Sequence, residues 1–311
     1  MGDWFAENGL LLGLAALDGL SYAALVFMVA VGLNLVFGVL RIVNVAHGSL
    51  FAIGAYAAAS IGLFFSARGL PPAAGFAALL LGAALVGGLL GPLIERLVLR
   101  RVYGQEEVLQ LLVTFALFMI LEDVQKLIWG VQPVSQDAPL KALGTVEVPF
   151  GDDTIPFTVY QLFVLPGVAV ATLIGLAWFL RRTLTGRVIV AVTTDKEAAT
   201  AMGIDAARVT LLTFTFGAAL AALGGALASP TTSLVPGIGA STIVLSFAVV
   251  ATAGLGQIEG AALTSLLIGL GRSAAVYFAP ELEVVVPYLI MVAVLLVRPQ
   301  GLFGVVEARR V

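Results

Sequence analysis

The sequence predicts an all-α membrane protein, a polytopic helical bundle of eight or nine spans. Two observations carry this. Of 311 residues, 60% are hydrophobic and only 11% charged, against about a quarter charged in soluble domains. Apolar runs of roughly 18 residues or more, each long enough to cross a bilayer, also recur along the chain. The runs are continuous in Leu, Ala, Val and Gly, without the alternation of a membrane β-barrel. The whole chain, 1–311, reads as a single transmembrane domain.

The expected spans are 18–40, 48–66, 73–97, 108–130, 159–180, 208–228, 241–254, 261–278 and 285–298. Residues Trp4 to Leu17 precede them as an interfacial or partial helix, and the composition does not decide which. The start of the chain lacks the basic region and small-residue cleavage pattern of a secretory signal. The first two spans have no real linker. Between them stand Arg41, Asn44 and His47, the only histidine in the chain. Backbone broken at such a place must be satisfied by protein or by a water-filled cavity. Asn34, Asn44 and Ser49 are close enough in sequence to form a network with His47, whose expected role is structural or gating, not proton transfer.

In the fourth span, Glu122 and Lys126 stand four residues apart and read as a local ion pair, with Asp123 beside them. Segment 131–158 carries Pro133, Pro139, Pro149 and Pro156 with Asp137, Asp152 and Asp153. It reads as an extended or hairpin-bearing cap on the bundle. The seventh span would be only about 21 Å long, too short to cross alone. It is followed by a second glycine-rich break, Ala253–Ala261, carrying Gln257 and Glu259. Two breaks in corresponding positions suggest an inverted repeat of discontinuous helices around a common route. The plainer reading of the second is a tight turn with solvated side chains. Gly82, Gly87, Gly88, Gly224 and Gly225 mark close helix packing.

Basic residues fix the orientation. Arg41, Arg96, Arg100, Arg101, Arg181, Arg182, Arg187, Lys196, Arg208, Arg298, Arg309 and Arg310 fall on one side, twelve of the sixteen Lys and Arg. Loop 181–207 and the C-terminus are therefore expected in the cytoplasm, and the 131–158 loop outside. Lys126 and Arg272 fall inside spans.

Within loop 181–207, Thr194-Asp195-Lys196-Glu197 fits a capping box, with Thr194 starting a short helix and Glu197 reaching back. Gly203 is placed to end it in a left-handed turn. No Gly-Lys-Ser/Thr phosphate loop exists, because Lys126, Lys141 and Lys196 follow Gln, Leu and Asp. With no cysteine and one histidine, Cys-based redox or metal chemistry is excluded and a metal site is not expected. No Ser/His/Asp set or catalytic carboxylate pair marks an enzyme.

Glu197-Ala198-Ala199 with Gly203 resembles the EAA-xxx-G signature of ATP-binding-cassette importer permeases. Three further motifs extend that resemblance over nearly the whole chain: GLNLVFGVLRIVNVAHG with GAY (Gly32–Tyr56), the Ala253–Ala261 turn, and RPQGLFG at Arg298–Gly304. Together they resemble permeases of branched-chain amino acid importers of the LivH type. The N-x-A-H-G form at Asn44–Gly48 is closer to that subunit than to its LivM partner. Val190 and Ala191, where relatives often carry a basic residue, and Ser49, where an acid is common, depart from the pattern.

The resemblance implies a bacterial inner-membrane subunit working by alternating access, with the C-terminus in the cytoplasm. Its partners would be membrane lipid, a second permease (LivM-like or a second copy), two cytoplasmic ATPases and a periplasmic binding protein, with no nucleic acid. ATP and Mg would sit on the ATPases, and this chain would hold no cofactor. Asp195, Glu197, Ala198, Ala199 and Gly203 would couple to the ATPase. Asn34, Asn44, His47, Ser49, Gln257 and Glu259 would line or gate the route. The implied cargo is a branched-chain or other small neutral amino acid. Similar permeases carry urea, short amides or small aromatic acids. The other class of reading, an ion-coupled secondary transporter, would need intramembrane acids, for which Glu122 and Asp123 are the candidates.

Overall fold

A computed structural model describes residues 2–150 and 153–304. Asp152, Arg309 and Arg310, and with them the expected placement of the C-terminus, lie outside the described residues. The first helix, α1 (Gly2–Leu40), is continuous. Residues Trp4 to Leu17 therefore extend the first span in one rod and form no separate interfacial piece. Val29, Ala30, Val31 and Val36 are fully buried, so α1 is the central post of the bundle.

After Arg41 the chain turns back, and α2 (His47–Ala67) starts inside the protein. The His47 ring meets the carbonyl of Val29, which lies about 16 Å before the end of α1 at 1.5 Å per residue. The break is thus a re-entrant connection, not a turn at the surface. Next come α3 (Ala74–Val102), with wide π-helical turns at Val86–Leu90 and Glu95–Leu99, and α4 (Glu107–Trp129).

At the far end sits α5 (Ala138–Leu143), then a hairpin of β1 (Thr145–Phe150) and β2 (Asp153–Thr158), paired from Thr145↔Thr158 to Phe150↔Asp153. The hairpin expected in 131–158 is therefore present. The chain continues as α6 (Tyr160–Arg182), α7 (Leu184–Thr194), α8 (Lys196–Ala201), α9 (Ala206–Ala228), α10 (Ile238–Ala253), α11 (Ile258–Phe278) and α12 (Val286–Val297).

Among the described residues, six helices are long and apolar enough to cross a membrane: Asn8–Leu40 of α1, and α2, α3, α6, α9 and α11. Helix α4 has 23 residues but carries charge near both ends. The expected seventh and ninth spans are shorter helices, α10 and α12, with 16 and 12 residues. Loop 181–207 holds two helices where one was expected, because Leu184–Thr194 is apolar enough to lie along the bundle as α7.

Small residues let the central helices touch backbone to backbone. A Cβ on Gly225 of α9 would stand 1.9 Å from the Phe51 carbonyl oxygen of α2. In lipid, where no hydrophobic force drives helices together, such contact is what packs them. Large apolar side chains face outward instead: Leu127, Ile174, Trp178 and Leu296 are all exposed. Helix α6 buries only 11% of its apolar window. That inside-out distribution suits a hydrocarbon surround.

Candidate coupling and translocation site

The short helix α8 is built one residue later than the capping-box reading expects. Helix α7 continues through Thr194, whose hydroxyl donates back to the Val190 carbonyl at 2.9 Å. With that proton committed, the cap falls to Asp195, an extended residue whose Oδ1 accepts from the Ala198 N–H at 2.9 Å. Glu197 then stands at the second helical position, out of register to close the box. At the other end Gly203, at φ +87°, donates to the Thr200 carbonyl, and Ile204 donates to that of Ala199. These two bonds make a Schellman ending, and the positive φ is why glycine is there.

Ala199 alone of the five coupling candidates is buried, packed with Ile189, Val192 and Val209 and with the partly buried Val39 of α1. Asp195, Glu197, Ala198 and Gly203 are exposed. The neighbouring Met202 is 86% exposed. One face of α8 is therefore an anchor, and the other stands clear of the bundle.

The same end of the molecule holds both breaks. A cavity of about 330 Å³ is lined by Arg41, Tyr103, Gln110, Thr193, Asp195 and Glu197. A second, of about 750 Å³, is lined by Gly38, Arg41, Glu107, Gly256, Gln257 and Gln300 among others. Arg41, at φ +53°, lines both. Burial, and next the negative charge of Glu95, push the Tyr103 hydroxyl above its usual range, so it stays neutral.

The pathway candidates go to separate partners. Asn34 reaches the second break: its Nδ2 donates to the Gln257 carbonyl at 2.7 Å, and its Oδ1 accepts from the Gly256 N–H at 2.6 Å. His47 is fully buried, with Nε2 3.2 Å from the Val29 carbonyl. Because that oxygen can only accept, Nε2 must carry the proton. Ser49 donates to the Phe118 carbonyl of α4 at 3.4 Å. Asn44 is fully buried, and neither of its amide atoms has a partner among the described residues. The expected network around His47 is therefore not formed. Its members share a region of sequence, but α1 and α2 carry them to different neighbours.

Gln257 is half-buried and starts α11. Glu259 is exposed and ion-paired with Arg181, which places it on the surface and not on a buried route. Glu122 and Asp123 both pair with Lys126, at 3.1 and 3.3 Å.

The second break is closed by the C-terminal motif. Leu302 and Phe303 donate to the carbonyls of Thr252 and Ala253, the last residues of α10. Gly301 lies against Gly254, where a side chain would have no room. The RPQGLFG segment thus satisfies carbonyls that a helix end leaves open.

Two ion pairs anchored within apolar helices, one on a buried carboxylate and one half-buried, have no counterpart in the sequence pattern. Glu95, fully buried, takes two hydrogen bonds from Arg100 at 3.2 and 3.0 Å. Arg272 of α11 pairs with Glu283 and lies over the Tyr22 ring, 4.1 Å from its centre. The available signal was a charged residue inside an apolar span, which is expensive there and commonly functional.

Comparison with known proteins agrees with this architecture. Residues 15–295 match the profile of the family described as branched-chain amino acid transport system / permease component. The chain is 29% identical over 306 residues to the high-affinity branched-chain amino acid transport system permease protein BraD of Pseudomonas aeruginosa, covering 94% of this chain and 96% of that one. It is 28% identical to the LivH permease proteins of Salmonella typhimurium and Escherichia coli K12, with the same coverage. No solved structure matches. A polytopic bundle with a re-entrant break after its first helix, matched over nearly its whole length, places the chain in the branched-chain amino acid transport permease family, as a LivH-type member.

Proposed function

We infer that this chain is one permease subunit of an ATP-binding-cassette importer in a bacterial inner membrane, carrying branched-chain or other small neutral amino acids. Loop 181–207 and the Arg298–Gly304 segment face the cytoplasm in this reading. A second permease, two ATPases that bind ATP and Mg, and an external binding protein complete the importer. The observation that carries it is the meeting of α8, the Arg41 break and the Gly254–Gln257 turn around shared cavities at one end.

The physical route is short. A partner groove receives the exposed face of α8, with Glu197 and the projecting Met202 as its handles. Movement of α8 passes through Ala199 to Val209 on α9 and to Val39 beside the Arg41 break. The second break, tied by Asn34 to the helix that ends at the Arg41 break, then moves with that break as one gate while the bundle alternates between outward and inward access.

Reconstituting the four membrane and ATPase components with the binding protein tests this. ATP-dependent uptake of L-leucine is expected, with none by this chain alone under an ion gradient. Uptake by the lone chain driven by an ion gradient would establish the secondary-transporter reading instead. Uptake of urea or a short amide, and of no amino acid, would keep the importer and change the cargo.

A further inference from the structure

We propose that the groove between α1, α10 and α11 is a binding station for the amino-acid zwitterion, with Arg272 taking the carboxylate and the hydroxyls of α10 taking the ammonium. The proposal rests on the importer reading above. The groove is a cavity of about 430 Å³, within the range of small-ligand sites. Arg272 and Tyr22 line it together with Ser241, Thr242 and Ser246. An apolar wall that includes Val29 and Phe51 completes it.

The donors and acceptors in this groove are already sorted by charge. The Ser241 and Thr242 hydroxyls both donate to the Ile238 carbonyl, at 3.0 and 2.7 Å, and the Ser246 hydroxyl donates to that of Thr242 at 2.8 Å. Their protons are committed to their own helix, so what they can offer the groove is oxygen lone pairs. Those suit an ammonium and not a carboxylate.

Arg272 is the reverse case, a group with five donors and no acceptor. Glu283 and the Tyr22 face hold it in place, and donors remain for a second carboxylate. Because Glu283 balances its charge, the station would attract a zwitterion's carboxylate without trapping a bare anion. Neutral amides and urea lack the group that Arg272 would take. The site thus points to amino acids among the cargoes this family resemblance allows.

The test uses the complete importer in liposomes with leucine-loaded binding protein, measuring leucine moved per ATP hydrolysed. Arg272→Gln should lower that ratio by about tenfold to a hundredfold, the loss of a charge-assisted hydrogen bond, while loaded binding protein still stimulates the ATPase. Glu283→Gln should keep most of the ratio. The exchange Arg272→Glu with Glu283→Arg should restore an ion pair but not the ratio.

Recovery in the exchange variant, equal loss in Glu283→Gln, or no loss in Arg272→Gln would each reduce Arg272 to a structural partner and overturn the proposal. If Arg272→Gln fails to assemble, Thr242→Val decides. A fall of about fivefold supports the station, and an unchanged ratio overturns it. Wild-type importer that moves no L-leucine removes the cargo reading itself, a result distinct from any defect confined to the variants.

Discussion

Asn34 and Gly256, far apart in sequence, are joined by a 2.6 Å hydrogen bond from the Gly256 N–H to the Asn34 side chain. The same amide donates to the next carbonyl, that of Gln257. A single side chain of α1 therefore clasps the turn between α10 and α11, where the Gln257 carbonyl also accepts from the Ala261 N–H. Asn34→Ala leaves both backbone groups without that partner, at a cost of about 1–3 kcal/mol. A lower melting temperature of the purified protein and slower transport are expected. An unchanged melting temperature would mean that the turn holds itself.

The α8 helix should separate folding from coupling. Its exposed Glu197 contributes no packing that the bundle needs. Glu197→Lys and Gly203→Pro are each expected to abolish transport while the protein still reaches the membrane folded, as read by expression and gel-filtration profile. Asp195→Ala removes only the cap, about 1 kcal/mol, and should leave transport reduced but measurable. Full activity in the first two variants would take the coupling role away from this helix.

Asn44 presents the opposite balance, because its buried amide satisfies nothing in this conformation. A buried polar group without a partner is destabilising, so Asn44→Val should hold or raise the melting temperature. If the amide is kept for a partner met when the bundle changes access, the same variant will transport poorly. Normal transport in a stabilised Asn44→Val protein would leave Asn44 without a role in the cycle.

The Arg181–Glu259 pair is exposed on both sides, and exposed pairs contribute little. Glu259→Gln should leave melting and leucine uptake within experimental scatter. A large loss of uptake would return Glu259 to the route.

Continuous apolar runs made most of the membrane helices legible in the sequence, and the Gly203 ending was readable from its residue type. What failed were relationships across the chain. His47, Asn34, Asn44 and Ser49 suggested one network because they are near in sequence, yet the re-entrant turn after Arg41 sends Asn34 toward Gly256 and Ser49 toward Phe118. The cap moved from Thr194 to Asp195 because α7 runs one residue further than the capping motif implied. Arg272 gave a visible signal as a cation in an apolar span. Its partners Glu283 and Tyr22 lie on other segments, and no local spacing connects them.

The bonds from Leu302 and Phe303 to the end of α10 also carry a consequence for biosynthesis. Helix α10 enters the membrane well before the ribosome has made Arg298–Gly304, so its terminal carbonyls must wait for the last part of the chain. Until then this end of the nascent bundle exposes polar backbone, which is costly away from water. The end of α10 is therefore closed only once Leu302 and Phe303 have been made, and a polypeptide cut short before Leu302 leaves the Thr252 and Ala253 carbonyls without these bonds.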